Sequence, residues 1–177
     1  IGELSSESID KRQEAMRELA KLGKTAEKDL RRAAENSEPE VRTRVKLILR
    51  VIQIEGEAPP ILLKEMPEVA WRLAADQWFG VLTEWLERPY SDEDRASRPT
   101  VKEVAYLFGP ALSPSTPPEE KRALCLIAQH WDLRAETTHL ALLLQDQDAG
   151  VRQSALWVLT SLQARKHTPA IVELLGD

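Results

Sequence analysis

The sequence predicts an all-α chain of repeated helical hairpins, and two observations predict it. The first is a phrase written twice, "SEPEVRTRVKLILRVI" at 37–52 and "DQDAGVRQSALWVLTSL" at 146–162. Each copy runs from a capping-type residue through Val-Arg into an apolar stripe. The second is the spacing at which its skeleton recurs. Arg followed three places later by a small or branched apolar residue occurs at Arg12/Ala15, Arg42/Val45, Arg122/Cys125 and Arg152/Ala155, so the arginines stand 30, 80 and 30 residues apart. Such a period, with polar turns between helices, belongs to stacked helix pairs, because an isolated pair cannot bury its apolar face and a stack can.

Each element follows from the same pattern. Seven places beyond each Arg stand Leu19, Leu49, Gln129 and Leu159, and ten beyond stand Leu22, Ile52, Asp132 and Leu162. Steps of three, four and three keep these positions on one helical face, with Gln129 and Asp132 marking the third copy as the weakest. Six places before each Arg come Ser6, Asn36, Thr116 and Asp146, all side chains that cap helices or order turns. "SEPE" and "TPPE" read as Ser/Thr-x-x-Glu capping boxes at Ser37 and Thr116 with an early proline. Partner helices are legible in "TAEKDLRRAAEN" and "AETTHLALLLQD", and "TPAIVELLGD" repeats the second ending down to Asp177.

The regular repeats cover residues 5–54 and 116–177 of a single domain spanning 1–177, with an irregular middle at 55–115. In that middle Trp71, Trp78 and Trp85 recur every seven residues, and Ala75 and Leu82 join their stripe. Residues 68–87 therefore read as one apolar helix, weakened at Gly80. Its tryptophans are either the oversized core of a degenerate repeat or a row available for binding. Trp157 has Gln153, Ser154, Thr160 and Ser161 as helical neighbours, which favours exposure, whereas the equivalent Leu47 and Ile127 favour burial. The proline-bounded "RPYSDEDRASRP" and "GPALSPSTPP" read as surface breakers.

Composition sets the bounds on function. A hydrophobic share of 42% with 30% charged residues suits a globular chain rather than a disordered one. No apolar run approaches the ~18 residues of a membrane span, and no secretory leader opens the sequence. The chain begins with Ile1 rather than Met, as a piece of a longer protein would. Cys125 is the sole cysteine, so no internal disulfide forms, and a buried thiol in "ALCLIA" fits a cytoplasmic protein. The net charge of −5 opposes generic attraction to nucleic acid or anionic lipid. Residues 1–50 nevertheless carry 12 basic against 10 acidic groups, while residues 51–177 carry 12 against 19.

The catalytic inventory is thin. His130, His139 and His167 have no metal-ligand spacing, and no nucleophile elbow, phosphate loop or zinc-protease motif occurs. No catalytic residue, metal site or cofactor is expected.

The stretch "LLLQDQDAGVRQSALWVLTSL" resembles the Asp-turn and Val-Arg-x-x-Ala-x-x-x-Leu pattern of HEAT repeats, particularly their bacterial forms. That resemblance covers residues 5–54 and 116–177. It implies a right-handed α-α superhelix and a non-catalytic role in protein–protein interaction, as a scaffold or an arm of a larger protein. It assigns Arg12, Arg42, Arg122 and Arg152 to an inter-repeat ladder, with Asp146/Arg152 as the one complete Asp–Arg pair. The helices that open with Val-Arg commonly line the inner face in that family, which marks Arg17, Lys21, Lys46, Arg50, Gln53, Gln153 and Trp157 as candidate contacts for a protein partner. The closing "ELLGD" implies continuation of the array, or self-association, beyond the last repeat.

A second resemblance belongs to a different class. "HWDLR" at 130–134 is similar to the Trp-Asp motif of HEAT-like DNA-alkylation-repair glycosylases, and Arg42, Lys46 and Arg50 at i, i+4, i+8 could track phosphates. The negative net charge and the irregular middle weigh against this nucleic-acid alternative.

Overall fold

A computed structural model describes residues 1–89 and 98–162, and of Asn36 the backbone alone. The acidic run at 90–97, His167 and the closing repeat through Asp177 lie outside the described residues. The chain is all-helical, and no strand occurs among the described residues. No described helix is long and apolar enough to cross a membrane. The chain divides into two compact units, Ile1–Gln77 and Trp78–Asp177.

The first unit opens with a short 3-10 turn, Gly2–Ser5, and continues with α1 (Ile9–Lys21), α2 (Lys24–Asn36), α3 (Pro39–Glu57), α4 (Pro60–Glu65) and α5 (Val69–Ala74). Ser8 starts α1, its hydroxyl accepting from the Lys11 N–H. Gly23, at φ 54°, turns the chain between α1 and α2, a conformation that glycine adopts without a Cβ clash. The organising helix is α3, which packs against α1, α2 and α5. Val45, Ile48 and Val51 are completely buried on it, at the three-residue steps of one helical face. Arg44 fixes the open end of this core by donating to the Leu4 carbonyl at 2.8 Å.

The second unit contains α6 (Trp78–Leu86), α7 (Val101–Ala111), α8 (Pro118–His130), α9 (Thr137–Leu142) and α10 (Ala149–Ser161). Here α6 packs on α7, and α8 packs on α10. Trp85 and Phe108 are the largest fully buried side chains of its core. The start of α7 is a full capping box: Glu103 N–H donates to the Thr100 hydroxyl at 3.4 Å, and Thr100 N–H donates to the Glu103 carboxylate at 2.7 Å.

Several expectations change. Residues 68–87 are two helices, α5 and α6, not one. The break falls at Asp76, whose φ of 61° ends the helical path. Aspartate tolerates that left-handed conformation better than most residues, and Arg50 of α3 reaches its carboxylate at 2.6 Å. The seven-residue tryptophan row is thereby divided, with Trp71 on α5 and Trp78 and Trp85 on α6.

Ser37 and Thr116 do not cap the helices that follow them. Those helices start one residue later, with Glu38 and Pro117 at the cap positions and prolines just inside. Proline is pre-organised for the first helical position, where its missing N–H costs nothing. Thr116 instead donates to the Ala111 carbonyl at 2.8 Å.

Candidate interaction surface

Three of the four repeated arginines, Arg12, Arg42 and Arg152, hold their own turns, and Arg122 reaches across to Asp148. Arg12 donates to the carbonyls of Ser6 and Glu7 at 2.6 and 2.8 Å. Arg152 repeats this with Asp146 and Gln147 at 2.9 and 3.1 Å. Arg42 donates to the equivalent Ser37 carbonyl at 3.1 Å. Asp146 and Arg152 thus meet through the aspartate main chain, not through the side-chain pair the sequence pattern implies. The Asp146 carboxylate turns to Lys121 of α8 at 2.7 Å, and Asp148 takes Arg122 at 3.1 Å while capping α10 through the Val151 N–H. These two bonds do cross from one Arg-bearing helix to the turn before the next.

With the arginines' neighbours Ala15, Val45, Cys125 and Ala155 buried, the opposite helix faces are left to solvent. Arg17, Lys21, Lys46, Gln53, Gln153 and Trp157 are exposed, and Arg50 is partly so. The structure brings three of them together. Lys46, Arg50 and Gln53, at i, i+4 and i+7 of α3, line a surface groove of about 450 Å³ shared with α2. Arg17 and Lys21 lie on α1 outside that lining, and Lys21 is engaged by Glu18 at 2.7 Å. Its hydrogen bond and charge hold the Glu18 carboxyl below its ordinary range and raise the Lys21 ammonium. Gln153 and Trp157 belong to the second unit.

The groove was only half visible in the sequence. Its floor carries Leu49 and Ile52, and its α2 wall supplies Lys24, Glu27 and Arg31. Arg31 is held by Glu27 at 2.7 Å, Arg50 by Asp76 at 2.6 Å, and Gln53 donates to Glu57 at 3.0 Å. Arg50 also holds the Asp76 carboxyl below its ordinary range. Nothing in the α2 sequence announces these contacts, because its polar stripe fits any solvated helix face equally well.

A second cavity, of about 770 Å³, opens beside α8 and α9 in the second unit. Its charged and imidazole groups Lys121, Asp146 and His139 are engaged by neighbouring side chains. Lys121 is shared between Asp146 and the Pro114 carbonyl, and His139 sits on Glu136 at 2.7 Å. No cluster of His, Cys, Asp and Glu suited to a metal ion occurs among the described residues. Cys125 is fully buried, and burial pushes its thiol up to about 12, which makes it a poor nucleophile. In "HWDLR", Trp131 closes α8 and Asp132 follows at φ 50°. The Asp132 carboxylate is bound within the same turn by Arg134 at 3.0 Å.

No family model, curated protein or solved structure matches this chain.

Proposed function

We propose that this chain is a non-catalytic protein-interaction module of stacked HEAT-like hairpins, acting as a scaffold or as an arm of a larger cytoplasmic protein. The observation that carries the reading is the pairing of equivalent helices. In the first unit α1 lies against α3, and in the second α8 lies against α10, each pair being one 30-residue repeat apart. Repetition satisfies the buried face, so the solvent face is free to vary with the partner. That face carries Lys46 and Gln53 in one unit and Gln153 and Trp157 in the other. Trp157, 50% exposed, is the kind of side chain on which binding energy concentrates. The cytoplasmic placement draws on the lone buried thiol.

Photo-cross-linking with a reactive residue at position 46 or 157, in cells making the protein, tests the reading. The expected result is a discrete set of polypeptide adducts absent when the residue is placed at Glu7. Adducts confined to nucleic acid, or none from either position, would overturn it. A titration of labelled duplex DNA at low and moderate salt is the companion measurement. Tight binding that collapses with salt would favour the nucleic-acid alternative.

A further inference from the structure

We infer that the groove between α2 and α3 docks an acidic, helical segment of a partner protein, with carboxylates on its lysines and aliphatic side chains on its floor. This rests on the protein-interaction reading above and names the partner's chemistry.

Charge comes first. Four cations, Lys24, Arg31, Lys46 and Arg50, line the groove against two carboxylates, Glu27 and Glu57, in a chain whose net charge is −5. Internal pairing removes part of that excess, since Glu27 holds Arg31 and Asp76 holds Arg50. Lys24 and Lys46 enter no salt bridge among the described residues, so their ammonium groups present uncompensated positive charge to a ligand. The first turn of α2 lies at the same place. The Thr25 and Ala26 N–H groups donate to the Leu22 and Gly23 carbonyls, and the positive end of the helix dipole adds to the field of Lys24.

Shape and polarity decide between acidic ligands. The lining of α3 runs from Lys46 to Glu57, about 17 Å or three helical turns. Between the charged rims lie Leu49 and Ile52, which reward aliphatic side chains and have nothing to offer a phosphate backbone. An amphipathic helix reconciles these features, laying apolar residues on the floor and placing Asp or Glu near Lys24 and Lys46. Gly56 leaves the far end open, because a Cβ there would meet nothing within 4 Å.

The test is selection from a display library of random helical peptides on the full chain, followed by anisotropy with the enriched peptides. Two variants probe the groove. Lys46→Glu reverses an exposed charge, and Gly56→Trp fills open space without entering the core. Lys102→Glu, the same charge reversal at an exposed position of α7, is the control in the other unit, and thermal melts verify that all three fold. The expected outcome is enrichment of Asp and Glu beside aliphatic residues, with affinity reduced about tenfold or more by each groove variant and unchanged by the control. Peptides that bind both groove variants as well as the parent would overturn the groove assignment while leaving a protein-interaction role standing. Enrichment without acidic residues, or no enrichment, would overturn the assigned chemistry. Failure to select peptides together with salt-sensitive DNA binding would overturn both this inference and the reading beneath it.

Discussion

The Lys121 ammonium of α8 meets the Asp146 carboxylate at 2.7 Å, with both side chains nearly enclosed at 10% and 13% exposure. The same lysine reaches the Pro114 carbonyl, and the same carboxylate accepts from the Asp148 N–H. This small network ties the start of α8 to the turn that precedes α10. Removing one member leaves a largely desolvated charge without its partner, whereas removing both leaves a space that apolar groups can fill. Asp146→Ala is therefore expected to lower stability by about 1–3 kcal/mol. The double variant Lys121→Met/Asp146→Leu should recover a substantial part of that loss. Urea unfolding of the three proteins checks both statements. Equal losses in the single and double variants would show that packing, not charge, governs the site.

The pH dependence follows from the same carboxylate. The Lys121 hydrogen bond, then the Asp148 N–H, hold the Asp146 carboxyl below its ordinary range. A group with a depressed folded value contributes its stability above the unfolded value and loses it as pH falls through the folded one. Melting temperature should thus be insensitive to this site near neutrality and decline below about pH 4. Asp146→Asn should be less stable near neutrality and show a shallower acid decline. Asp76, also depressed by Arg50, is well exposed and should contribute little to the slope.

The repeated arginines are chemically alike but not equally buried. Arg12 and Arg152 clamp carbonyls of their own turns from half-buried positions, while Arg42 donates to Ser37 from an exposed one. A net hydrogen bond is worth about 1 kcal/mol, and more when the donor is charged. Water competes less for the half-buried clamps, so Arg152→Met and Arg12→Met should cost more than Arg42→Met, by up to about 1 kcal/mol. Denaturant midpoints for the three variants test the order, and a larger loss at Arg42 would contradict the geometry.

The arginine skeleton made much of the architecture legible. A residue three places beyond Arg must face inward if successive helices are to stack, and Val45, Cys125 and Ala155 are completely buried. The exposed row Lys46, Arg50 and Gln53 follows from the same period. What periodicity could not reveal was where competing local preferences would fall. At Ser37 and Thr116 the hydroxyl could have capped, but the neighbouring prolines take the first helical position and move each start by one residue. At Asp76 a seven-residue tryptophan spacing masked a left-handed residue that ends α5. The α2 side of the groove depends on how two helices pack. Neither helix carries that information alone.

Two tryptophans give the last prediction, because they separate core from surface in one experiment. Trp85 is completely buried on α6, whereas Trp157 of α10 is half exposed on the face opposite Ala155. Truncating a buried aromatic costs about 3–5 kcal/mol through lost transfer energy and the cavity left behind. Trp85→Ala should lose stability on that scale, while Trp157→Ala should stay within about 0.5 kcal/mol of the parent. Iodide quenching supplies a second readout, since the ion reaches only exposed indoles. Trp157→Phe should reduce the quenchable fraction of the emission, and Trp85→Phe should leave that fraction unchanged or raise it. If Trp157→Ala proved as costly as Trp85→Ala, that indole would be part of the core and the solvent face assigned to α10 would be wrong.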